Sequence, residues 1–296
     1  MITGVLLGLA AASFQSGSYL FSKRYVSAFE RGTPALLVSS HCIMGIFALA
    51  LLPLFLPSHL PPLSRAALPL ILGVAAYLAA QASLFLSLTA ADASRVSPLL
   101  GLKIFVLAAI SISFLGRQYG ALQWAGILAG LCAAYLLGTA GTRLSPKGWA
   151  AVAAACVFYS ISDLCIRRLI GEFEYLGLFR ASVVSACLCY VLAGAVAAAS
   201  MPFVNVLSAR RWRLAFPFAV FWFVGILFLF GCFGAIGVVF GNIVQSTRGV
   251  ISLVLGWAMA RLGHERIEGR VTRGVFAIRV AAGVMMTAAI MLFYLG

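Results

Sequence analysis

The chain has 296 residues, 63% of them hydrophobic and only 9% charged. Its 21 Lys and Arg outnumber 7 Asp and Glu, which gives a formal net charge of +14. A soluble domain carries about 25% charged residues, so this composition excludes a water-soluble domain, a disordered chain and a secreted disulfide scaffold. At a mean hydropathy of +1.08, the excess of cations bears on membrane orientation. It does not point to nucleic acid, as it would in a soluble protein.

A bilayer core about 30 Å thick needs roughly 20 apolar residues per helix. On that measure the chain divides into ten spans, near 2–22, 34–56, 67–89, 96–115, 120–141, 148–166, 175–199, 217–240, 245–263 and 274–295. The apolar runs are continuous rather than alternating, the pattern of membrane helices and not of barrel strands. No positive stretch precedes the first run, so it reads as a span and not as a signal peptide. Gly4 and Gly8, then Gly126 and Gly130, stand at a spacing that lets helices pack closely in lipid. The seven cysteines, Cys42, Cys132, Cys156, Cys165, Cys187, Cys189 and Cys232, all fall in apolar runs. They show no zinc or disulfide spacing and read as small apolar side chains. The predicted fold is all-α, a polytopic membrane protein of ten transmembrane helices.

The sequence also repeats itself. Leu9 to Ser13 overlays Val152 to Cys156, and Arg24 then falls on Arg167. Val96 to Gly101 overlays Val244 to Gly249, and Leu115 to Gln118 overlays Leu262 to Glu265. Three stretches at nearly one offset divide the chain into residues 1–142 and 143–296, with five spans each. Five is odd, so the second half starts on the opposite side of the membrane, as in the inverted repeats of secondary transporters.

The segment from Ala90 to Gly138 carries Ala93-Ser94 before a helix, Pro98 inside it, Leu115-Gly116 at its end and an Ala/Gly-rich helix after it. This resembles the EamA-like repeat of the drug/metabolite transporter superfamily, whose members have two such repeats and ten helices. The family pattern often places Glu right after that Leu-Gly. Arg117 stands there in this chain, and in the second half Glu265 follows His264. The resemblance implies a transporter of amino acids, drugs, nucleotide sugars or sugar phosphates, with both termini in the cytoplasm.

The basic residues give a different orientation. Odd-numbered loops hold Lys23, Arg24, Arg31, Arg95, Arg143, Lys147, Arg210, Arg211, Arg213, Arg266, Arg270 and Arg273, which is twelve. Even-numbered loops hold four: Arg65, Arg117, Arg167 and Arg168. The positive-inside rule then puts the odd loops in the cytoplasm and both termini outside. The stretch Arg210 to Arg213, with Phe203 and Trp212, reads as an interfacial anchor at anionic headgroups.

Ionisable residues inside spans are costly and mark substrate paths or ion pairs. Lys103, Arg180, Arg248 and Arg279 lie deep, Arg261 snorkels from a span end, and Asp163 is the one acid in any span. Asp163 has Arg167 at i,i+4 and Arg180 at similar depth as partners. Lys103 has Asp92 within reach, and Arg279 has Glu265 or Glu268. Arg248, in Gln245-Ser246-Thr247-Arg248-Gly249, has no acid near in sequence. Its guanidinium suits a carboxylate or phosphate. Gln245, Tyr77, Gln81, Gln15, Tyr19 and Tyr159 are candidate polar and aromatic walls, whereas His41 reads as a packing histidine.

These residues predict a secondary transporter that moves a small organic anion or phosphorylated metabolite by alternating access. The alternatives are a proton-coupled exporter of amino acids or other zwitterionic or drug-like metabolites, and a flippase for an anionic lipid headgroup. Asp163 would then be the coupling group. The small multidrug branch of the superfamily keeps a Glu in its first helix, and the matching stretches Ala12 to Gly17 and Ala155 to Ser160 hold no acid. An enzyme is excluded for want of clustered acids or a placed nucleophile. No metal or other cofactor is expected, and no phosphate-cradling G-x-x-x-x-G-K run is present. The expected setting is a bacterial inner membrane, with a small-molecule substrate and the lipid bilayer as partners, no nucleic acid, and a homodimer left open.

Overall fold

A computed structural model describes residues 1–29, 32–90, 96, 99–116, 118–139, 145–206, 208–261 and 273–296. The described residues form helices and connecting turns, with no strand among them. In chain order the helices are α1 Ile2–Ala28, α2 Thr33–Phe55, α3 Leu63–Ala90, α4 Lys103–Leu115 and α5 Ala121–Thr139. The second half holds α6 Pro146–Glu172, α7 Leu178–Ser200, α8 Ala209–Ile236, α9 Val238–Gln245, α10 Arg248–Arg261 and α11 Arg273–Leu295. Six of these, α1 to α3 and α6 to α8, are long and apolar enough to cross a membrane, and shorter apolar helices accompany them.

Local chemistry sets the boundaries. Pro34 and Pro146 lie in the first turns of α2 and α6, where a missing N–H costs nothing. Ser145 caps α6 by accepting a hydrogen bond from the Gly148 amide at 3.1 Å. Gly116 ends α4 at the predicted place with φ +60°, a left-handed geometry that favours glycine. Leu100–Leu102 is a 3-10 turn that leads into α4.

The eighth and ninth spans depart from the sequence reading. Gly237, at φ +77°, ends α8 before the predicted 240, and the chain re-enters helix at once as α9. Asn242, which falls between the predicted eighth and ninth spans, is instead helical and buried. The ninth span is itself broken at Ser246 and Thr247. Their hydroxyls donate to the carbonyls of Ile243 at 2.5 Å and Val244 at 2.7 Å. Serine and threonine hydroxyls satisfy the backbone groups that a break in a membrane helix frees.

Each long helix packs chiefly against one in the other half: α1 on α8, α3 on α6, α2 on α7 and α5 on α11. Exchanging the five spans of one half with those of the other maps this set of pairings onto itself. Close contacts rest on small residues. A Cβ on Gly194 of α7 would lie 2.7 Å from the Cα of Gly45 on α2. Gly4 and Gly8 lie against α8 and α9, and Gly126 lies against the backbone of α11. The core runs through the interior of the bundle, while large apolar side chains such as Leu54, Leu68 and Met291 stay exposed. Such exposure suits lipid.

Candidate functional site

Polar and charged side chains meet in the interior of this apolar bundle. Lys103, the first residue of α4, places Nζ 3.0 Å from Oδ2 of Asp163 on α6. The same carboxylate oxygen accepts from Asn242 Nδ2 of α9 at 2.9 Å. Lys103 Nζ also donates to Gln245 Oε1 at 3.4 Å. Gln245 Nε2 donates to Gln15 Oε1 of α1 at 2.8 Å, and Arg248 Nη1 of α10 donates to that oxygen at 3.1 Å. Two cations are thus linked through two amides. Lys103, Asp163, Gln245, Arg248, Gln15 and Asn242 are all buried.

Two rings flank the cations. Lys103 Nζ stands 5.4 Å from the Tyr159 ring centre, and the Arg248 guanidinium 5.8 Å from that of Tyr19. Tyr19 contacts Trp222 edge-on, and Tyr159 neighbours Tyr77 at 6.4 Å. There the cluster continues into a second network around the Tyr77 hydroxyl. That oxygen is 3.1 Å from His41 Nε2 and 2.9 Å each from Gln81 Nε2, the Tyr190 hydroxyl and Trp222 Nε1. His41 Nδ1 lies 2.7 Å from the Leu37 carbonyl and can only donate to it. Neutral His41 therefore accepts the Tyr77 proton at Nε2, Tyr77 accepts from Gln81 and Tyr190, and Trp222 Nε1 is shared between the Tyr77 and Tyr190 hydroxyls at 2.9 Å from each.

Polar atoms with no partner among the described residues belong to these same networks or to the rings beside them. They include Arg248 Nε, the hydroxyls of Tyr19 and Tyr159, Asn242 Oδ1 and Gln81 Oε1. Buried polar groups are normally hydrogen-bonded, so a group of orphaned ones around one cluster is unusual.

The helix ends sharpen the electrostatics. Lys103 and Arg248 each open a helix, where the helix dipole disfavours a cation and favours an anion. At α4 the anion is supplied internally, by Asp163. At α10 Arg248 has no carboxylate partner among the described residues, and its carbonyl accepts from Ser16 Oγ at 3.1 Å. Lys103, Asp163 and Arg248 together leave one net positive charge inside the bundle.

Of the residues predicted from sequence, Arg248, Lys103, Gln245, Tyr19, Tyr159, Tyr77, Gln81 and Asp163 come together here. Arg180 does not. It is exposed in the first turn of α7 and donates to the carbonyls of Phe55 at 2.8 Å and Leu56 at 3.0 Å, at the end of α2. Helix α7 starts at Leu178, so Arg180 lies near the rim and not deep in a span. Asp163 pairs with neither Arg167 nor Arg180, because Arg167 turns to Glu174 at 3.1 Å. Lys103 takes Asp163 as its partner. The Arg279 side chain and Asp92, Ala93, Ser94, Pro98, Arg117, Glu265 and Glu268 lie outside the described residues. Asn242, Trp222 and Tyr190 escaped the sequence reading. The available signal was that Asn242 is one of two asparagines in the chain and stands in an apolar run.

Residues 2–139 match the model of the EamA-like transporter family. The match covers just under half of the chain, and the described second half carries no such match. This EamA-like protein is an integral membrane protein of the transporter type. A solved crystal structure of a protein 20% identical to it superposes with a TM-score of 0.66, over 97% of this chain and 98% of that one. At that identity the likeness speaks for the fold of the EamA-like chain and not for its substrate. No curated protein matches the sequence.

Proposed function

We propose that this EamA-like protein is a secondary transporter whose substrate is a small organic anion, bound between α1, α4, α6, α9 and α10. The observation that carries this reading is Arg248, only 5% exposed, with Nε unpartnered and no acid beside it among the described residues. A carboxylate or phosphate oxygen at Arg248 would take the place at α10 that Asp163 takes at α4. One net positive charge in the cluster fits a monoanion better than a phosphate dianion. Tyr19 and Tyr159 hydroxyls would complete its hydrogen bonds. The halves 1–142 and 143–296, as inverted repeats, would rock about this site to expose it to each side in turn, and the broken ninth span is the kind of element that transporters use there.

A second reading is a zwitterion such as an amino acid, and one observation favours it. Among the described residues Asn242 Oδ1 is an unpartnered buried acceptor beside the Asp163 carboxylate, a setting for an ammonium group. Uptake into liposomes separates the readings, with monocarboxylates, phosphate monoesters, amino acids and organic cations each tried with and without a proton gradient. The anion reading expects flux of monocarboxylates. Flux confined to cations overturns both.

A further inference from the structure

Away from the central cluster, a groove of about 780 Å³ lies where α3, α4 and α6 meet. Its walls are apolar: Leu68 and Leu72 of α3, Ile110 of α4 and Leu164 of α6. Its mouth holds Arg65, Arg167 and Arg168 with Glu172. Arg167 is engaged by Glu174, whereas Arg65 and Arg168 are exposed and have no acidic partner among the described residues. The even-numbered loops carry only four basic residues, and three of them meet at this one opening.

The depth profile matters. Arg65 lies near the start of α3 and Arg168 near the end of α6, so both stand at the headgroup level of one leaflet. Seven residues separate Arg65 from Leu72, which takes the wall about 10 Å down into hydrocarbon. A water-soluble anion would use the arginines and leave the apolar wall idle. A molecule with a negative head and an apolar chain fits both parts.

We propose that this groove is a binding site for one anionic phospholipid of the surrounding leaflet. Its phosphate lies between Arg65 and Arg168, and an acyl chain runs along Leu68, Leu72, Ile110 and Leu164. The site touches α4 and α6, the two helices that Lys103 and Asp163 join. A bound lipid would therefore brace the spacing of the central ion pair from outside.

The test is native mass spectrometry of the purified full chain in detergent, with phosphatidylglycerol and phosphatidylcholine of identical acyl chains as probes. The expected result is preferential retention of phosphatidylglycerol. Arg65→Gln and Arg168→Gln each weaken that preference roughly fivefold, as for one basic residue at an anionic surface. Leu72→Trp, which fills the groove and leaves the arginines, weakens phosphatidylglycerol binding as well. Equal retention of the two lipids, a preference that survives the double arginine variant, or displacement of the lipid by free glycerol phosphate overturns the proposal. None of these measurements involves the transported solute, so the outcome is separate from that of the uptake assay.

Discussion

Lys103 Nζ lies 3.0 Å from Asp163 Oδ2 across 60 residues of chain, with both side chains almost completely buried. Removing one member of a buried pair strands a charge and costs about 3–5 kcal/mol, whereas replacing both with apolar groups is far less damaging. Asp163→Asn and Lys103→Met should each lower the thermal midpoint in detergent strongly. Lys103→Met combined with Asp163→Leu should recover most of the loss. A double variant no more stable than either single one would show that the pair is not the unit holding α4 to α6.

Arg248 differs because no carboxylate pairs with it among the described residues. Arg248→Gln should leave the thermal midpoint within about 1 kcal/mol of the parent, since a glutamine can still donate to Gln15. It should lower substrate affinity by a factor of roughly 10 or more, the worth of a charge-assisted hydrogen bond. Arg248→Lys should restore part of the affinity by keeping the charge without the paired geometry. Transport at unchanged affinity in the glutamine variant would make Arg248 structural.

The Tyr77 hydroxyl serves His41, Gln81, Tyr190 and Trp222 at once. Tyr77→Phe preserves the ring and removes the partner of His41 Nε2, Gln81 Nε2 and the Tyr190 hydroxyl, while Trp222 Nε1 keeps the Tyr190 hydroxyl at 2.9 Å. Each buried polar group left unsatisfied costs about 1–3 kcal/mol. The expected result is a lower thermal midpoint and a shift in Trp222 emission. Trp222→Phe should be milder, because it removes a single donor. Equal effects from the two variants would contradict this arrangement.

At the crossing of α2 and α7 no side chain separates Gly45 from Gly194. Gly194→Ala would set a methyl 2.7 Å from the Gly45 Cα and 3.1 Å from the His41 carbonyl. Overpacking of this kind costs about 1–3 kcal/mol. A lower midpoint is expected, and a larger loss in Gly194→Val. No change would mean that the two helices separate freely.

The orientation of the chain has a direct readout. The loop count puts both termini outside, and Arg180, placed by the structure near the second loop, adds a cation to the sparse side without reversing the balance. Alkaline phosphatase fused after Gly296 should be active under the charge count. An active cytoplasmic reporter at the same position would instead favour the orientation that the family resemblance implies.

The sequence alone determined that the chain is a helical membrane protein of ten spans and that its few buried charges are the residues to watch. The physical reason is that hydrocarbon admits only long apolar helices, so span number and isolated polar residues are visible in one dimension. Gly116 at the end of α4, the Gly4-Gly8 and Gly126-Gly130 contacts and the isolation of Arg248 were legible in this way. Only the tertiary structure decided who meets whom. Lys103 and Asp163 lie on different helices, Asn242 became helical once Gly237 ended α8, and Arg180 was drawn to the carbonyls that close α2. Partner choice depends on which helix faces cross and at what depth, and that is a property of the packed bundle and not of any local stretch of sequence.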